Sequence, residues 1–308
     1  MQGAAGREPW TRLWGDQDMV RIWTLFAVVC LLASAPASAQ PQRDPFNGQF
    51  GVVELARPPA EAAALARMMG DALDGLQPQR PGQLDVYMIT ASLWGDPVFE
   101  REATQAEAIL RPHLGADGRS IVLSAGGQGE RRYPAATPND IAAAIGHVGS
   151  LIDPNEDLVV LFITSHGSQD GSISIRESNR LGAAMRPTHL RDMLAQAGIR
   201  NRVVIVSACF SGAFIAPLMD ENTILVTAAA PDRSSFGCQP QRDWTFFGDA
   251  YFNHGVRGGA SLIDAFDDAK TLIERWEREQ NLTPPSNPQI FVGSNARAML
   301  RRAERNAR

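Results

Sequence analysis

The chain has 308 residues, 44% hydrophobic and 20% charged, with a net charge of −5, which allows a sizeable core in one large domain or two small ones. Its arginines are scattered rather than gathered in a block or stripe, so nucleic-acid binding is disfavoured. Its three cysteines (Cys30, Cys209, Cys238) form no C-x-x-C pair and its five histidines no H-E-x-x-H spacing, so a structural zinc site is not expected.

The first feature in chain order is a leader. Arg21 precedes an apolar run of twelve residues, Ile22 to Ala33, and small residues follow to Ala39, ending in Ala-x-Ala before Gln40. A charged start, a short apolar centre and a small-residue cleavage site predict a secretory signal. The run is too short to span a bilayer comfortably. Residues 1–39 thus read as an upstream extension plus signal, with Met19 as the true start and Cys30 lost with the leader. The mature chain is expected to be exported, to the periplasm or outside the cell, and free of the membrane.

Residues 40–83 read as an arm and a helix, the helix spanning Pro58 to Leu76 with proline at its start. From Leu84 to Arg308, strands and helices alternate. Strands are expected at Leu84–Thr90 and Ser120–Ser124, and helices at Phe99–Leu110 and from Thr137 to about Leu151. The Gly-rich loop Gly126–Gly129 matches no phosphate-binding fingerprint. Asp157 to Thr164 is an apolar strand ending at His166-Gly167, and Ser172–Ile175 a hairpin arm. A helix over Pro187–Ala197 precedes a second apolar strand, Arg202 to Val206, ending at Cys209. A strand at Thr223–Ala228, an amphipathic helix at Ser261–Gln280, a strand at Gln289–Gly293 and a short exposed helix in the arginine-rich tail complete the order. This alternation predicts an α/β fold of three layers, a mostly parallel sheet covered by helices on both faces.

Two of these strands carry the chemistry. In open parallel sheets, sites form outside the carboxyl ends of the strands. There His166 and Cys209, 43 residues apart, supply a base and a thiol nucleophile. Small neighbours (Ser165, Gly167, Ser207, Ala208, Ser211, Gly212) leave room for a substrate backbone. A buried thiol and a loop histidine are the commoner fates of such residues taken singly; the joint pattern favours catalysis. In an exported protein Cys209 could pair with Cys238, but a strand-tip position beside Gly212 favours an accessible thiol.

The run Phe162–Ser168 resembles the catalytic-histidine motif of legumain-type cysteine peptidases, the C13 family of the caspase-like clan. Ser207-Ala-Cys209-Phe-Ser-Gly212 is similar to their nucleophile motif. Thr227–Cys238 with Phe247-Gly248-Asp249 resembles the segment lining the pocket for the residue before the cut. The resemblance covers roughly Leu84 to Gly293. It implies a caspase-like fold and peptide hydrolysis through a thioester on Cys209, with His166 moving the proton, the N–H groups of Gly167 and Cys209 holding the oxyanion, and no metal or other cofactor. It also implies a pocket drawing on Ser207, Ser234, Ser235, Asp249 and Arg101.

Departures bear on specificity. The family's histidine-orienting Asn is missing from Ser92–Arg101, Ser207 stands at a Glu position, and Glu100 and Arg101 are nearest to the Arg position. Asp249 without those partners suggests a basic residue before the cut as an alternative to Asn. If the chain is made as a zymogen, the candidate plug is the arm, Gln40 to about Gln83. Transpeptidation from the same acyl-enzyme and an inert peptide-binding domain are the competing functions; reactivity of Cys209 toward an electrophile at neutral pH separates the second from an enzyme.

Overall fold

The structure, a computed structural model, describes residues 53–126, 131–177 and 179–308. Contacts divide the chain into Met1–Pro45, which lies outside the described residues together with the expected leader, and Phe46–Arg308. Most of the Gly126–Gly129 loop also falls outside them.

A six-stranded sheet organises the chain, in the order β3-β2-β4-β7-β8-β9. Its strands are β2 (Val86–Ser92), β3 (Ser120–Ser124), β4 (Leu158–Thr164), β7 (Arg202–Ser207), β8 (Thr223–Thr227) and β9 (Gln289–Val292). All neighbours are parallel except β8 and β9. Strands β2, β4, β7 and β8 are buried at every residue. That is why they read as continuous β-branched and aliphatic runs rather than alternating ones.

Side-chain parity assigns each strand residue to one of two layers. Tyr87, Ile89 and Ala91 of β2 join Val159, Leu161 and Ile163 of β4 on one face. There they meet α1 (Pro59–Asp74), α3 (Pro138–Leu151) and α4 (Pro187–Gln196). Val86, Met88, Val160, Phe162, Val203 and Ile205 point the other way, against α2 (Pro97–His113), α5 (Asp264–Glu279) and α6 (Ser294–Asn306). The three layers expected from the alternation are therefore present. Each of α1 to α4 opens on proline, whose missing N–H is no loss in a first turn.

Four details differ from the sequence reading. The tail helix α6 is packed rather than exposed: Ala296, Leu300 and Ala303 are buried, because their spacing makes one apolar stripe opposite the arginines. Strand β6 (Leu181–Met185) pairs antiparallel with β5 (Ile173–Glu177) in a separate small sheet; its Leu-Gly-Ala-Ala-Met sequence has little β-propensity to announce it. A helical turn, Phe246–Gly248, runs into a π-helix, Asp249–Val256, where no helix was expected. Helix α2 starts two residues early, at Pro97, which makes Asp96 its N-cap.

The described part of the arm lies along the small sheet. Strand β1 (Val53–Glu54) pairs with β6, and Arg57 holds Glu177 through both guanidinium nitrogens, Nη1 at 2.7 Å. Among the described residues no helix is long and apolar enough to cross a membrane.

Candidate active site

The two reactive residues leave the sheet side by side because their strands are neighbours in register. Thr164 of β4 pairs with Ser207 of β7, and Ser165 N–H donates to the Ser207 carbonyl at 3.1 Å. His166 and Cys209 follow at the same carboxyl edge. Their backbones then touch. A Cβ placed on Gly167 would fall 1.9 Å from the Cys209 carbonyl oxygen, so only glycine lets the two segments close on each other. Gly167 also faces Ile173 across an isolated antiparallel bridge. The flanking bonds are Ser174 N–H to the His166 carbonyl and Ser168 N–H to the Ser172 carbonyl, each 2.9 Å. Gly167 is thus at a non-hydrogen-bonded position, and its N–H takes no part in that ladder.

His166 stands between aromatic edges and an acid. Trp94 and Phe99 meet its ring edge-on, at centroid distances of 4.8 and 5.0 Å. Its Nε2 lies 3.8 Å from Asp96 Oδ2, an electrostatic contact longer than a hydrogen bond. Burial lowers the imidazole pKa, and the Asp96 charge opposes that shift. At neutral pH the ring is therefore chiefly neutral, as a proton acceptor must be. Asp96 makes no side-chain bond to its own helix start. It occupies the stretch in which an Asn was sought, and a search for the amide alone overlooked the carboxylate. Removing its charge has a definite sign: in Asp96→Ala the titration of the His166 ring, followed by NMR, moves to lower pH.

Cys209 is wrapped by the segment after β8. Ser235 N–H points at its sulfur at 3.3 Å, the Ser235 carbonyl lies at 3.5 Å and its hydroxyl at 3.7 Å. The next residue, Phe210, has φ of +58°, a left-handed conformation that costs a side-chain-bearing residue about 1–2 kcal/mol. Three bonds hold this turn. Phe210 N–H donates to the Arg233 carbonyl at 2.7 Å and Gly212 N–H to the Ala229 carbonyl at 2.9 Å, while Ser211 Oγ accepts from Ala229 N–H at 3.1 Å. Strain of this kind concentrates where function requires a fixed geometry. Both Cys209 and Cys238 are free thiols; burial, then the neighbouring Cys209, raises the Cys238 pKa.

Beneath the strand ends lies a carboxyl group that the sequence reading missed. Glu102 of α2 is fully buried. It accepts hydrogen bonds from Thr164 Oγ1, from Thr245 Oγ1 at 2.5 Å and from Ser207 Oγ at 3.3 Å. Parity explains the meeting: Thr164 and Ser207 project from the α2 face, the face of Phe162 and Ile205. The available signal was a carboxylate within the apolar stripe of Phe99, Ala103, Ala106 and Leu110.

Burial pushes the Glu102 carboxyl up to about 7, against the lowering effect of its three hydroxyl donors. The folded chain therefore binds this proton more tightly than the unfolded chain, and stability falls as pH rises from the ordinary carboxyl range to about 7. The full loss is on the order of 3 kcal/mol, at about 1.4 kcal/mol for each pH unit between the ordinary carboxyl range and about 7. Glu102→Gln should remove most of this fall, as read by urea unfolding at pH 5 and pH 8.

The remaining expected pocket residues are less closely gathered. Ser234 and Ser235 belong to the segment at the thiol, and Ser207 is bound to Glu102. Asp249 Oδ1 accepts from Asn253 Nδ2 at 2.8 Å and lies 3.7 Å from His254 Nε2, both on its own helix. Arg101 does not reach the dyad: its guanidinium is directed to the Pro240 and Arg242 carbonyls and lies 3.3 Å from Asp243. Among the described residues no group of three acidic, His or Cys side chains could hold a metal.

A thiol and an imidazole side by side at the ends of adjacent parallel strands is an arrangement of the cysteine peptidase type. The model of the peptidase C13 family matches residues 134–290, over half of the chain, and the chain belongs to that family. No curated protein matches it. Among solved structures, the chain is similar to caspase-1 from Spodoptera frugiperda, with a TM-score of 0.48 and 10% identity over 71% of this chain and 94% of that one.

Proposed function

We propose that the chain is an exported cysteine endopeptidase acting through a Cys209 thioester. The observation that carries this reading is the close approach of the Gly167 and Cys209 backbones, which supports a meeting of the imidazole and thiol that stand beside them. His166 takes the thiol proton, with Asp96 beside Nε2 leaving Nδ1 as the nitrogen to accept it. The sulfur attacks the scissile carbonyl carbon, and the C=O electron pair moves to oxygen, held by the N–H groups of Gly167 and Cys209. As that oxyanion collapses, the C–N bond breaks and the leaving amine takes the proton from His166. Water then attacks the thioester, giving a proton to His166, and the C–S bond breaks. Each oxyanion donor is worth about 3 kcal/mol in the transition state.

The residue before the cut is Asn or a basic residue. Asp249 supports the second through direct ion pairing, although an incoming cation would share its carboxylate with Asn253. The Ser207 site supports a departure from strict Asn preference, since it lacks the family's Glu. Peptide libraries varied at this position, incubated with the chain and read by mass spectrometry, test both points. Cuts confined to Asn, with Lys and Arg refused, remove the basic pocket. Export is tested on the protein recovered from the producing cells: its N-terminus should be Gln40.

A further inference from the structure

Glu102 touches all three chain segments that build the site. Thr164 lies two residues before His166, Ser207 two residues before Cys209, and Thr245 caps the turn that leads to Asp249, accepting from Gly248 N–H at 3.0 Å. Thr245 and Ser207 hydroxyls also lie 3.2 Å apart. Gly248 is bound to this point sterically: a Cβ there would stand 2.0 Å from Glu102 Oε1. A buried carboxyl is costly to retain, and an apolar residue of the same size would fill the space on α2 equally well. Its contacts are not spread over the core but gathered at the strand ends.

We propose that Glu102 is a positioning residue of the active site, a three-way clamp whose oxygens fix the spacing of the His166 strand end, the Cys209 strand end and the Thr245–Asp249 turn. The clamp acts on the dyad from below and touches no substrate. It rests on the peptidase reading only for its consequence in turnover, because the spacing of thiol and imidazole also governs how fast Cys209 reacts with a small electrophile.

The test compares the full chain with Glu102→Gln, which keeps the volume and an amide able to hydrogen-bond, and Glu102→Leu, which keeps the volume alone. Peptide kcat and KM, the rate of Cys209 alkylation by iodoacetamide at one pH, and melting temperature are measured on each. Glu102→Leu should lower kcat about 10- to 100-fold with KM changed less than threefold, and should change the alkylation rate while melting stays cooperative. Glu102→Gln should recover kcat to within about fivefold, since hydrogen bonds of ordinary strength are retained. A Leu variant that melts, turns over and alkylates as the wild type does would overturn the clamp. So would variants that merely lose cooperative melting, which would make the carboxyl a folding element only. If the wild type cleaves no peptide while the Leu variant shifts alkylation and Gln restores it, the clamp stands and the peptidase reading falls.

Discussion

Cys209→Ala is expected to abolish peptide cleavage, lowering kcat/KM by about 10^4-fold or more. The substitution removes one sulfur from a half-buried position and with it the Ser235 contacts to that sulfur, but the Phe210 N–H bond to the Arg233 carbonyl and the Gly212 N–H bond to the Ala229 carbonyl still hold the turn, so folding should be retained. Without sulfur no thioester can form, and what survives is the contribution of the oxyanion donors and of substrate binding. His166→Ala should lose a similar factor. The double variant should lose little more than either single one, because nucleophile and base act as a unit. Steady-state rates on one good peptide, with melting curves as the control, decide this. A Cys209→Ala chain that still cleaves would place the nucleophile elsewhere.

Gly167→Ala should be nearly as damaging, although it alters no reactive group. The added carbon would sit 1.9 Å from the Cys209 carbonyl oxygen and 2.9 Å from its carbonyl carbon. Both neighbours are backbone, so no side chain can rotate away. The His166 and Cys209 segments must move apart by about an ångström, a displacement that costs about 10^2-fold in rate for reacting groups held at contact distance. Withdrawal of the Gly167 N–H from the oxyanion position would lower the rate further. Stability should fall by about 1–3 kcal/mol, as for other overpacked sites, leaving a folded protein that alkylates and cleaves slowly. Wild-type turnover in this variant would show that close backbone contact is dispensable.

The fold was legible where burial had written it into the chain. Strands β4 and β7 are buried on both faces, and their unbroken aliphatic runs gave both their existence and the two reactive tips. Prolines marked the helix starts. Elements whose stability is tertiary were not legible: β6, with few β-forming residues, exists because β5 and β1 lie on either side of it. The π-helix from Asp249 is held by aromatic packing, such as Phe247 stacked on Tyr251 at 5.3 Å, not by helical periodicity. At the site, the thiol and base were readable because both stand at strand ends. Asp96 and Glu102 were not, since each is defined by what it faces across the chain rather than by a local pattern. Trp94 and Phe99, which bracket His166, were hidden for the same reason.

The order of the sheet has a consequence for the timing of activity. Cys209 takes its surroundings from segments that emerge from the ribosome later: β8 to pair with its strand, Arg233 and Ser235 to hold its turn, and Thr245 to complete the Glu102 cluster. Parallel strands separated by helices pair late, because long loops must close before any contact rewards them. A nascent chain synthesised through Cys209 thus carries the nucleophile and the base in its sequence but not as a working pair. The architecture leaves the surroundings of the thiol incomplete until the chain has been made as far as Thr245.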